Sequence, residues 1–95
     1  MNLKNLLFKK KLKVNKIVRT CYAAPTQWEG YFNDGDKLYI RYRWGYLSVR
    51  KDKTNAVRGK EIFGKQIGDS FDGYMDHSEL KKIVKIIKFP DKEVK

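Results

Sequence analysis

Strict alternation of apolar and polar positions dominates the middle of the chain. From Lys37 to Arg43, Leu38, Ile40 and Tyr42 fall on one side, while Tyr39, Arg41 and Arg43 fall on the other. That period of two is the mark of a strand with one buried face. Trp44 continues the apolar side of this run. Tyr46 to Lys51 repeats the pattern, with Leu47 and Val49 opposed to Tyr46, Ser48 and Arg50. Gly45 stands between the two runs and permits a reversal, so they predict a hairpin. Upstream, residues 14–23 contain Ile17-Val18-Arg19-Thr20-Cys21-Tyr22, rich in β-branched and aromatic types, and predict a strand closed by Pro25. Trp28 to Phe32 predicts a second strand, and Asn33-Asp34-Gly35-Asp36 a tight turn into the third. Asp52 to Gly59 is polar and predicts a loop. Lys60 to Ile67, around Ile62 and Phe63, predicts a fifth strand.

The period then changes. Gly68 to Met75 predicts a loop. Asp76, with Glu79 three residues on, forms a capping box at a helix start. Leu80, Ile83, Val84 and Ile87 recur at i, i+3, i+4 and i+7, which predicts a helix over 77–88. Lys81, Lys82, Lys85 and Lys88 cover its opposite face, and Pro90 ends it. The expected fold is α+β: a four- to five-stranded antiparallel β-meander with one C-terminal helix packed on one face. The helix stripe would lie against Leu38, Ile40, Leu47 and Val49, leaving the other sheet face to water. Residues 14–90 make the single domain. Residues 1–13 read as a basic N-terminal arm or short helix, and 91–95 as a charged tail.

Charge sharpens the picture. The 95 residues carry a formal net charge of +11. Residues 1–20 contribute +7 with no acid, 21–58 contribute +3, and 59–95 only +1. A cationic terminus of this kind speeds encounter with polyanions and binds them in a salt-dependent way. Lys9, Lys10 and Lys11 are its densest run. The second cationic feature is the outward side of the predicted hairpin, where Tyr39, Arg41, Arg43, Tyr46 and Arg50 interleave rings with guanidinium groups. Rings stack on bases and guanidinium groups pair with phosphates. These eight residues are the candidate nucleic-acid contacts.

Gly68 to Leu80 offers a different chemistry. Ser70, Asp72, Gly73, Tyr74, Met75, Asp76 and Glu79 stand at the spacing of a cation-binding loop, and the thirteen residues resemble the calcium loop of the EF-hand family. The resemblance implies Ser70, Asp72, Asp76 and Glu79 as side-chain ligands and Tyr74 as a carbonyl ligand, with Gly73 at the turn. Gly68 stands where the family has its first, anchoring Asp, and the preceding segment reads as strand rather than helix. Metal binding is therefore not expected.

The remaining chemistry is sparse. His77 is the only histidine and is expected exposed on the first helical turn; it has no nucleophile or second base beside it in sequence. Cys21 is the only cysteine, expected buried, which fits a reducing compartment. Leu6-Leu7-Phe8 is too short for a signal-peptide core, and no apolar run approaches a membrane span. The expectation is a cytoplasmic, non-catalytic protein with no cofactor, no metal and no small-molecule substrate. Its partner would be DNA or RNA. The alternative is a protein-interaction module, such as a phage- or mobile-element-encoded accessory or inhibitor of a host protein, with Trp28, Tyr31, Trp44 and Tyr46 as anchors.

Overall fold

Each alternating run becomes a strand. The computed structural model describes residues 12–94, and in chain order it contains β1 (Leu12–Cys21), β2 (Thr26–Phe32), β3 (Lys37–Arg43), β4 (Tyr46–Asp52), β5 (Lys60–Gln66), α1 (His77–Ile83) and β6 (Ile87–Lys88). The five long strands form an antiparallel meander. β6 then returns to lie parallel to β1, giving the order β5-β4-β3-β2-β1-β6. The domain is thus α+β: a curled, mixed six-stranded half-barrel with one helix. A short 3-10 turn, Ala56–Arg58, lies in the β4–β5 connection.

One face of the sheet holds the core. Trp28, Phe32, Leu38, Ile40, Tyr42, Leu47 and Val49 are buried there with Val14 and Ile17 of β1. Met75, Leu80, Val84, Ile87 and Phe89 close it from the C-terminal segment. Pleating sends Tyr39, Arg41, Arg43, Ser48 and Arg50 to the opposite face. The β3–β4 turn has positive φ at both central residues, Trp44 (55°) and Gly45 (72°), as a two-residue hairpin turn matched to strand twist requires. Trp44 therefore leaves the apolar side predicted for it and stands in solvent. Gly45 is further constrained by the loop packed against it. Its N–H donates to Asp72 O at 2.7 Å, its carbonyl accepts from Ile67 N at 2.7 Å, and an added Cβ would lie 2.3 Å from Gly68 O.

The helix is shorter than its apolar period predicted. Asp76 Oδ1 accepts from Glu79 N at 2.8 Å, so the N-cap forms as expected. The helix ends at Ile83, because Val84 has left helical geometry at φ −94°, ψ 77°. The following Ile86-Ile87-Lys88-Phe89 alternates, with Ile87 and Phe89 buried and Ile86 and Lys88 exposed. Strand pairing with Leu12 and Lys13 takes over, which suits the β-branched residues better than a longer helix. Only Lys81 and Lys82 of the four expected lysines ride on α1. Ile83, expected in the core, is only half-buried. Ile83→Ala should accordingly cost about 1 kcal/mol in chemical denaturation, well short of a core truncation. A loss of about 3 kcal/mol or more would mean that the helix sits deeper than this.

The last described residues are docked on β1. Of the stretch expected as a charged tail, Val94 N donates to Ile17 O at 2.9 Å and Arg19 N to Val94 O at 2.7 Å. Between them, Glu93 reaches the buried Arg19: Nε lies 2.6 Å from Oε2 and Nη2 lies 3.1 Å from Oε1. Trp28 Nε1 donates to Oε1 at 2.7 Å, and Arg19 Nη1 donates to Met75 O at 3.1 Å. The guanidinium also lies 4.9 Å from the Trp28 ring centre and 5.1 Å from that of Tyr22. Burial pushes the Glu93 carboxyl up, but the Arg19 and Trp28 hydrogen bonds and the Arg19 charge outweigh it, and the group sits below its ordinary value.

Candidate functional site

The outward residues of β3 and β4 meet around one groove of about 260 Å³, lined by Tyr39, Arg41, Arg43, Trp44, Tyr46 and Arg50 together with Ser48, Val57 and Glu61. Five of the eight sequence-predicted contacts are thus brought together. The other three, Lys9, Lys10 and Lys11, lie outside the described residues.

Register explains the gathering. Arg43 pairs laterally with Tyr46, Arg41 with Ser48 and Tyr39 with Arg50. Lateral partners on one face stand about 4.5–5.5 Å apart, so each ring has a cation beside it. Trp44 joins from the turn. The Arg43 guanidinium lies 4.2 Å from its ring centre and that of Arg41 5.8 Å, both within cation–π reach. Trp44 remains 60% exposed. Its place in the alternation assigns it to the core; the Trp-Gly pair at the hairpin tip is the signal of the turn that sends it outward.

Two of the rings are held in place. Gln27 Nε2 donates to the Tyr39 hydroxyl at 2.7 Å. Tyr46 donates to Glu61 Oε2 at 2.9 Å, and Ser48 donates to Glu61 Oε1 at 2.6 Å. The Glu61 hydrogen bond, with some help from burial, raises the Tyr46 hydroxyl above its ordinary value, so it stays a neutral donor. Glu61 reaches the groove because a bulge in the β4–β5 pairing sets it opposite Arg50. It is the single acid among the groove's lining residues, against three arginines. Arg41 Nε is buried without a hydrogen-bond partner. Such a donor is costly to leave unpaired.

No family model, curated protein or solved structure matches this chain. The site's own chemistry is cationic and aromatic. It offers rings, guanidinium groups and one unsatisfied donor. Glu61, the acid of the groove, is engaged by the Tyr46 and Ser48 hydroxyls.

The EF-hand-like loop arranges its acids otherwise. Asp72 Oδ2 accepts from the buried Tyr42 hydroxyl at 2.5 Å, Asp69 Oδ1 accepts from Phe71 N at 2.9 Å, and Asp76 caps α1. The segment before the loop is β5, not a helix. Among the described residues, no group of three or more His, Cys, Asp or Glu side chains is placed to hold a metal ion. Millimolar calcium should leave the melting temperature unchanged; a rise of several degrees reversed by chelator would contradict this assignment of the loop's carboxylates.

His77 differs from expectation. It is half-buried, and its Nε2 has no hydrogen-bond partner. Burial lowers its pKa, with Lys81 and Arg19 acting the same way and Glu93 and Asp76 opposing. Cys21 is half-buried at the end of β1, rather than fully buried. Trp28, considered as an interface anchor, is wholly buried. Among the described residues, no helix is long and apolar enough to cross a membrane.

Proposed function

We propose that this chain is a non-catalytic nucleic-acid-binding protein that holds single strands against the outer face of β3 and β4. Bases stack on Trp44, Tyr39 and Tyr46, while Arg41, Arg43 and Arg50 pair with the backbone. The lysine-rich N-terminal segment, with Lys9, Lys10 and Lys11, adds sequence-independent affinity through counterion release. The observation that carries the proposal is the convergence on one groove of three rings, three arginines and a buried, unpartnered Arg41 Nε. A solvated sheet face needs the cations, but it has no need of an exposed tryptophan stacked on one of them.

The test is a titration of labelled single-stranded and duplex oligonucleotides at two salt concentrations. Single strands should bind more tightly than duplex, and affinity should fall as salt rises. Glu61→Gln, which removes the acid from the groove, should tighten binding at low salt. Duplex bound as well as single strand would show charge attraction without stacking.

A protein partner is the alternative, and one observation favours it. Tyr22, Trp44, Phe71 and Tyr74 are all exposed at the same end of the half-barrel, Phe71 at 95%. The Ala23–Tyr74 bridge and the Gly45–Asp72 hydrogen bond hold these loops together. Exposed aromatics of this kind anchor protein interfaces, as an accessory or inhibitor of a host protein would require. Loss of nucleic-acid binding in the titration, with the fold intact, would make this rim the functional surface.

A further inference from the structure

A second cleft, of about 540 Å³, continues the first. It lies between the outer face of β1–β3 and residues 54–57, and it shares Tyr39 and Val57 with the arginine groove. Its wall is built rather than loose. Asp52 Oδ2 accepts from Thr54 N and Asn55 N, each at 2.9 Å, and Ala56 O accepts from Gly59 N at 3.0 Å. Ala56 is buried under that wall, and Val57 stands exposed at the junction of the two clefts.

The floor repeats the arrangement of the first groove. Tyr31 pairs laterally with Lys16 on one side and Lys37 on the other, which sets a half-exposed ring between two cations. Tyr39, between the clefts, has Arg50 on one side and Glu29 on the other. Glu29 is the one acid lining the second cleft. From strand spacing and rise, Tyr46 to Tyr39 is about 14 Å and Tyr39 to Tyr31 about 8 Å. The rings form one line of roughly 22 Å.

From this continuity we infer that the bound strand runs from Trp44 over Tyr39, past Val57, to Tyr31, with Lys16 and Lys37 holding its far phosphates. The inference rests on the proposed single-strand binding and extends it. It adds a path and a minimum length of about four nucleotides, the lower end of the range for sheet platforms. Residues 54–57 wall one side of the second cleft and Val57 lines both clefts, so the path is expected to favour a single strand with splayed bases over a duplex.

The experiment is an affinity series with labelled oligothymidylates from roughly two to roughly eight nucleotides long, read alongside Trp44 emission. Affinity should climb with length and level off near the length that reaches Tyr31. Tyr31→Ala should weaken binding of the longer oligomers by roughly fivefold or more and leave the shortest unchanged. Val57→Asp, an exposed substitution that puts a carboxylate at the junction, should do the same. If both variants bind every length as the parent does, while Trp44→Ala weakens all of them, the path ends in the first groove and the inference falls with the proposed function standing. If no oligomer of any length changes Trp44 emission, the proposed function itself fails.

Discussion

Glu93→Ala should destabilise the protein by about 3–5 kcal/mol, although it lies two residues from the end of the sequence. The Arg19 and Glu93 side chains are only 3% and 6% exposed. Removing the carboxylate leaves a guanidinium that the core cannot solvate, and it also strips the Trp28 indole of its acceptor. Replacing both partners with apolar residues of similar size should cost far less, because no charge is then stranded. Chemical denaturation of the two variants separates the cases. A single-variant loss below about 1 kcal/mol would mean that water reaches Arg19 when the carboxylate is gone. The same pair predicts an acid dependence. Glu93 titrates below its ordinary value in the folded protein, so its contribution is present above the unfolded carboxylate range and is lost as pH falls through the folded value. Asp52 and Asp76, lowered by backbone N–H donors, act in the same direction. The denaturation midpoint should fall between about pH 5 and pH 3 more steeply for the parent than for Glu93→Gln.

Trp44→Ala should lower affinity for single-stranded oligonucleotides roughly tenfold to hundredfold, the loss expected for one stacked base. The same change should leave stability nearly untouched, since the ring is 60% exposed and packs mainly on Arg43. The slope of log affinity against log salt should hardly move, because stacking releases few counterions. Arg43→Ala should lower both affinity and slope, since a guanidinium pairs with phosphate and also supports the ring. Binding by Trp44→Ala equal to that of the parent would leave the groove without its main stacking surface.

What was legible in the sequence follows from the range of each interaction. The β3–β4 hairpin is written in neighbouring residues: Leu38, Ile40 and Tyr42 alternate with Tyr39, Arg41 and Arg43, so strand, facing and candidate groove could all be read locally. The Asp76 cap was legible for the same reason. The end of α1 was not. Ile87 fits both a helical stripe and a strand, and only pairing with Leu12, far away in sequence, decides between them. The Arg19–Glu93 latch spans 74 positions and left one local trace. Arg19 occupies an inward position of β1, as Ile17 does, and an inward arginine requires a buried carboxylate. Trp44 was misplaced because alternation was carried one residue past the strand into a turn where both central φ angles are positive.

The intrinsic fluorescence of the two tryptophans tests the central claim most directly. Trp28 is completely buried and Trp44 largely exposed, so quenching by acrylamide reports Trp44. Adding a saturating single-stranded oligothymidylate should shift the emission and protect it from acrylamide, and Trp44→Phe should abolish both effects. An oligonucleotide that binds by anisotropy yet leaves emission and acrylamide quenching unchanged would place the nucleic acid elsewhere on the protein and contradict the stacking groove.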